Sequence, residues 1–120
     1  MCIKRVPQNI IELRKKRLDN YIDKINYYRL FNQGDEKALL TEIQKGNEDA
    51  LENLIKPNLY IVIDEVKKYI TGLDRITEAI SEGNNAIIQA GKLYNGNTRF
   101  KNYALPYVRN AIRKFIQENA

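Results

Sequence analysis

Apolar residues recur three to four positions apart along nearly the whole chain, and that spacing predicts helices throughout. Ile10, Ile11, Leu13, Leu18, Tyr21, Ile22 and Ile25 predict a first helix near 9–28. Asn32, with Asp35 three residues on, is placed to cap a second helix over about 33–45, which Gly46 ends. Asn47, followed by Glu48 and Asp49 at the positive end of a helix dipole, predicts a short helix to about Lys56. Beyond Pro57-Asn58, the residues Leu59, Val62, Ile63, Val66 and Ile70 form the cleanest stripe, closed by Thr71-Gly72. Ile76, Ala79, Ile80, Gly83, Ile87, Ala90 and Leu93 predict the next helix. Glycine there lowers helix propensity by about 1 kcal/mol, so Gly83 points to close helix packing rather than to flexibility. Asn95-Gly96-Asn97 reads as a turn, and Asn102 is placed to cap a last helix with the stripe Ala104, Val108, Ala111, Ile112 and Phe115. With no strand pattern, internal repeat or linker, the short connections predict an all-α fold, a compact bundle of antiparallel neighbours.

Composition narrows the chemistry. The 120 residues suffice for one domain with one modest core. With no histidine, imidazole acid–base chemistry and serine–histidine triads are excluded. A lone Cys2 cannot form an internal disulfide, and no loop has calcium-ligand spacing or a glycine-rich phosphate cradle. No catalytic residue, metal or cofactor is therefore predicted, and the reading is non-enzymatic. Glu78 and Glu82 lie one helical turn apart and, as paired carboxylates, invite a glycosidase-like reading, but no substrate-stacking tryptophan or pocket-forming loop accompanies them. The longest apolar runs are broken by charges and Met1–Pro7 holds no secretory signal, so no membrane association and a cytoplasmic location are expected.

Charge divides the chain in three. Residues 1–30 hold eight basic and three acidic residues, residues 31–91 six and eleven, and residues 92–120 six and one. An acidic centre thus lies between two basic ends. The basic ends suit nucleic acid, whereas the acidic centre argues against coating DNA on every face.

Several short motifs occur in a fixed order. Asn58-Leu59 is followed by Lys67-Lys68-Tyr69, then by Glu78-Ala79-Ile80-Ser81-Glu82-Gly83-Asn84 and Leu93-Tyr94-Asn95. Phe100-Lys101-Asn102-Tyr103-Ala104 leads on to Val108-Arg109-Asn110-Ala111-Ile112. Over 58–116 this series resembles conserved region 2 of the sigma-70 family of RNA polymerase sigma factors, with its D-L-I-Q-E-G-N, K-F-D, F-S-T-Y-A and I-R-Q-A-I segments. Upstream, Ile43, Gly46-Asn47-Glu48-Asp49-Ala50 and Leu54-Ile55 resemble the preceding, region 1.2-like part, and Leu18-Asp19-Asn20-Tyr21-Ile22 echoes it further upstream. The spacing matches without a gap from Ile43 to Asn95, and the turn at 96–99 is a residue or two shorter than the family's. The division implied is a basic segment over 1–17 and a region-2-like helical domain over 18–120.

The resemblance implies two binding surfaces. Glu78, Ser81, Glu82, Asn84 and Ile88 match the positions that dock on the clamp helices of the polymerase beta-prime subunit. Taken alone, these positions also fit a solvated helix face. The basic end matches the part that captures unstacked bases of the −10 promoter element on the non-template strand. Its candidates are Lys92, Arg99, Phe100, Lys101, Tyr103, Tyr107, Arg109, Asn110, Arg113 and Lys114, with rings stacking on bases and cations meeting phosphates. Tyr103 matches the tyrosine that stacks on a flipped adenine, and Asn58 matches a residue lining the pocket for a second extruded base. Phe100 and one tyrosine also fit a core role.

Three departures qualify the match. Pro106-Tyr107 stands where the family has adjacent tryptophans that wedge the upstream edge of the bubble. With Asn102 as cap, Pro106 removes the donor for the cap carbonyl, and a helix starting nearer Leu105 would move Tyr103. The chain stops at Ala120, without the family's further promoter-reading domains, as a fragment or a stand-alone module would. The basic run from Cys2 to Arg17 fits no family motif, and reads either as a phosphate-contacting helix or as a solvated face. The reading is a transcription initiation module whose partners are core polymerase, promoter DNA and an anti-sigma factor. The alternative is a polymerase-binding regulator or sigma competitor without productive melting, and behind it an unrelated helical interaction domain.

Overall fold

The computed structural model describes residues 7–30 and 35–119; Cys2, Lys4 and Arg5 of the basic start lie outside them, as does the proposed cap Asn32. Among the described residues six α-helices make up the fold: α1 (Gln8–Arg29), α2 (Glu36–Gln44), α3 (Glu48–Ile55), α4 (Tyr60–Tyr69), α5 (Leu73–Leu93) and α6 (Phe100–Glu118). A single 3₁₀ turn, Lys56–Asn58, joins α3 to α4 around Pro57. Among the described residues there is no strand, and the expected all-α bundle is what forms.

Helix ends follow local chemistry where short polar residues are available. Asp35 precedes α2, and its carboxylate accepts the Lys37 N–H at 2.9 Å. The start therefore moves from 33 to Glu36. At the other end Gly46, at φ +87°, lets its own N–H reach the Ile43 carbonyl and the Asn47 N–H reach the Glu42 carbonyl. That pair of bonds closes the last turn, and only a residue free of the left-handed penalty does so without strain. Asn47 then caps α3 as predicted, accepting the Ala50 N–H at 3.2 Å.

The core runs through the middle of the chain. Val62 and Val66 of α4, Ala79, Ile87 and Ala90 of α5, and Phe100, Ala104, Val108 and Ile112 of α6 are fully buried. The most extensive helix pair is α5 with α6. Gly83 is buried where α5 crosses α4: a β-carbon there would fall 2.5 Å from Val62 Cγ1. The predicted close packing is real, and it brings the Glu82-Gly83-Asn84 segment hard against α4.

Three predictions of the apolar pattern are corrected. Ile10, Ile11 and Leu13 belong to α1 but remain exposed; packing against the core begins at Leu18 and continues through Tyr21, Ile22 and Ile25. Leu93, the last residue of the α5 stripe, is exposed, while its neighbour Tyr94 turns inward. Asn102 does not cap α6: the helix starts at Phe100 after Arg99, and neither Asn102 nor Leu105 marks its beginning. Pro106 is accordingly well inside the helix. Its ring nitrogen cannot donate to the Asn102 carbonyl, the interruption expected of proline in a helix interior.

Candidate functional site

Helix α5 presents its polar face to solvent. Glu78, Ser81, Glu82 and Ile88 are exposed on it, and neither glutamate forms an ion pair among the described residues. Two carboxylates left free on a rigid helix can receive arginine side chains from a partner. Asn84 is placed differently. It is half-buried at the margin of this face and donates to the Tyr21 hydroxyl of α1 at 3.0 Å. It fastens α1 to α5 rather than pointing at solvent with the glutamates.

The basic end is a framework of rings with cations around it. Tyr94 lies edge-on to Phe100 at 5.3 Å, against Tyr103 at 5.4 Å, and Tyr103 against Tyr107 at 5.5 Å. Phe100 is 0% exposed, so its ring cannot stack on a base. It belongs to the core rather than among the nucleic-acid contacts. Tyr103 is half-buried; its hydroxyl bonds the Leu93 carbonyl at 3.0 Å and lies 3.3 Å from the Tyr107 hydroxyl. The Tyr107 hydrogen bond, followed by desolvation, raises the Tyr103 phenol above its ordinary value.

The exposed arc of α6 splits into two rows at i, i+4, i+7 and i+11 spacing. Tyr103, Tyr107, Asn110 and Lys114 form one; Asn102, Pro106, Arg109 and Arg113 form the other. Lys92, Arg99, Lys101, Asn110, Arg113 and Lys114 are exposed. Arg109 is not a free cation: its Nε lies 3.4 Å from Glu65 Oε2, while Lys68 reaches Oε1 of the same carboxylate at 2.8 Å.

Asn58 sits in the 3₁₀ turn, half-buried, and donates to the Leu54 carbonyl at 2.9 Å. It lines an open cavity of roughly 420 Å³ together with Arg29, Tyr60, Arg99, Lys101 and Asn102. Arg29 stands 4.0 Å over the Tyr60 ring. The structure thus brings Asn58 beside Arg99 and Lys101, whereas Glu78, Ser81 and Glu82 line no part of this cavity.

Glu36 and Glu65 escaped the sequence reading. Glu36, the first residue of α2, accepts the Phe100 N–H at 3.0 Å and the Tyr94 hydroxyl at 3.4 Å, and so caps α6 from another helix. The Tyr94 hydroxyl also bonds the Thr98 carbonyl. Burial, then the Glu36 carboxylate, raises the Tyr94 phenol. No local pattern signals Glu36, because its partners are some sixty positions away. Glu65 did carry a signal, an acid one turn from buried Ile61 within the apolar stripe of α4.

Among the described residues no group of three or more side chains is arranged to hold a metal ion, and no helix is long and apolar enough to cross a membrane. No protein-family model matches the chain, and no solved structure matches it. Over 102 residues it is 31% identical to the RNA polymerase sigma factor SigA of a Bacillus species, a match covering 83% of this chain and 27% of that protein. The chain spans about a quarter of the length of that curated relative, and over most of its own length it is similar to a sigma factor.

Proposed function

We propose that the chain is a sigma-70 family module equivalent to region 2 with its preceding segment, a non-enzymatic cytoplasmic protein drawn to the nucleoid through RNA polymerase. Glu78, Ser81, Glu82 and Ile88 meet the beta-prime clamp helices, with Asn84 holding the face in place. The basic end meets the non-template strand of the −10 element. Tyr103 and Tyr107 offer ring surface, Lys92, Arg99, Lys101, Arg113 and Lys114 meet phosphates, and Arg109 and Asn110 extend the track along α6. The cavity beside Asn58, within the roughly 300–1,000 Å³ typical of small-ligand sites, receives a second base. An anti-sigma factor would compete for the α5 face.

One observation carries the reading: the segment most like the family's docking helix presents two exposed carboxylates with no ion-pair partner among the described residues. The test has two stages. The chain should bind core RNA polymerase, and the resulting complex should prefer single-stranded −10 DNA to a scrambled strand. Absence of polymerase binding would refute the reading.

A second reading keeps the docking and drops productive melting, making the chain a competitor of sigma factors. Buried Phe100, the Tyr103 hydroxyl engaged with Leu93, and Pro106 inside α6 all favour it. Polymerase binding with no strand preference would select it.

A further inference from the structure

Helices α1 and α5 enclose a groove of about 730 Å³ that the docking face borders. Its α1 wall carries Arg14, Arg17, Leu18 and Tyr21; its α5 wall includes Glu78 and Ser81, with Ile80 at its base. Two cross-links hold the walls. Arg14 pairs with Asp74 at 3.2 Å toward one end, and Asn84 bonds Tyr21 at 3.0 Å toward the other. Arg17 lies between the α1 anchors in sequence, as Glu78 does between the α5 anchors. Arg17 is exposed and has no ion pair or hydrogen bond among the described residues.

We infer that this groove is the second half of the docking site, and that it seats a partner helix presenting basic side chains to Glu78 and acidic ones to Arg17. The inference rests on the polymerase-docking reading and extends it from the α5 face to α1, so the occupant is the same beta-prime clamp helix. Charge complementarity carries it. Walls of opposite sign face each other over an apolar base, which suits an amphipathic helix with oppositely charged flanks. A nucleic-acid backbone or an anionic lipid surface would gain from Arg14 and Arg17 but would lie against Glu78, with Glu82 one turn on. The groove is also continuous with the proposed docking face, since Glu78 and Ser81 belong to both. Basic residues at the start of α1 thus recognise protein rather than phosphate.

The experiment measures affinity of the full chain for core RNA polymerase without DNA, for wild type and for Arg17→Ala, Arg17→Glu and Glu82→Arg. Far-UV circular dichroism and Tm monitor folding. Arg17→Glu is expected to weaken binding at least fivefold and Arg17→Ala by less, with fold and Tm unchanged, because this side chain is exposed and has no partner among the described residues. If wild type binds and Glu82→Arg fails while both Arg17 variants bind as wild type, the groove is not part of the interface and the inference falls, leaving the docking reading intact. If wild type does not bind, the docking reading itself falls. Weakened binding of the Arg17 variants to single-stranded DNA, with polymerase affinity unchanged, would assign the wall to phosphate and overturn the proposal.

Discussion

Glu65 of α4 and Arg109 of α6 meet at 3.4 Å, the carboxylate 4% exposed and the guanidinium 43%. The contact locks the proposed DNA-reading helix to the helix beneath the docking segment. Removing Arg109 leaves a buried acid with only Lys68, which is itself half in solvent. Arg109→Ala is expected to destabilise the fold by about 1–3 kcal/mol, the range for a buried group losing a charged partner. Chemical denaturation measures it. A loss within 0.5 kcal/mol, roughly the noise of a surface substitution, would show that the pair is immaterial.

The same pair sets a pH dependence. Burial pushes the Glu65 carboxyl up, but the hydrogen bond from Lys68 and the charge of Arg109 outweigh it, leaving it below the ordinary 4.5. A carboxyl depressed in the folded state contributes stability that is complete above the unfolded value. That stability is lost as pH falls through the folded value. The stability advantage of wild type over Glu65→Gln should therefore hold from neutral pH down to about 4.5 and shrink below it. An advantage that stays constant down to acid unfolding would dissociate it from this carboxylate.

Glu36 ties α2 to the start of α6. Its side chain accepts the otherwise free Phe100 N–H, the service an N-cap residue normally provides from one position upstream. Glu36→Ala should cost about 0.5–2 kcal/mol, as cap removal does. Glu36→Gln, which keeps an acceptor oxygen, should cost less. Amide exchange at Phe100 should quicken in the alanine variant before exchange at Ile112 does. Equal acceleration at both would mean global loosening instead.

What the sequence made legible follows from the range of each interaction. Apolar spacing revealed α1, α4, α5 and α6, whose buried faces repeat locally, while cap residues announced α2 and α3. The Asn47 cap and the Gly46 stop were legible for the same reason. The start of α6 was misplaced at Asn102 because its cap, Glu36, comes from another helix. Phe100 stood between core and base-stacking roles on sequence grounds, since an aromatic ring suits both; only packing against Tyr94 decides. On α5, Glu78, Ser81, Glu82 and Ile88 share an exposed face, as their helical spacing implies, whereas Asn84, grouped with them, reaches across to Tyr21.

Gly83 separates propensity from packing. Alanine would gain about 1 kcal/mol of helix propensity. Its β-carbon would also fall 2.5 Å from Val62 Cγ1, and overpacking of a core costs about 1–3 kcal/mol. Gly83→Ala should thus be net destabilising, and Val62→Ala in the same chain should recover part of the loss although alone it opens a cavity. Thermal unfolding of the two single variants and the double variant tests the coupling. Simple additivity would show that the two residues do not compete for space.

Tyr103 separates a ring from its hydroxyl. The hydroxyl bonds the Leu93 carbonyl near the end of α5, so Tyr103→Phe should lower stability by about 0.5–1.5 kcal/mol, the net worth of one hydrogen bond. The ring survives that change, and a base stacked on it would be retained. Tyr103→Ala removes both, and should cost a further about 1–3 kcal/mol in affinity for single-stranded −10 DNA if the ring captures a base. Affinities measured on the polymerase complex for both variants, beside their Tm values, distinguish the roles. If both lose stability while neither loses DNA affinity, Tyr103 joins Phe100 as a packing residue, and the competitor reading gains over initiation.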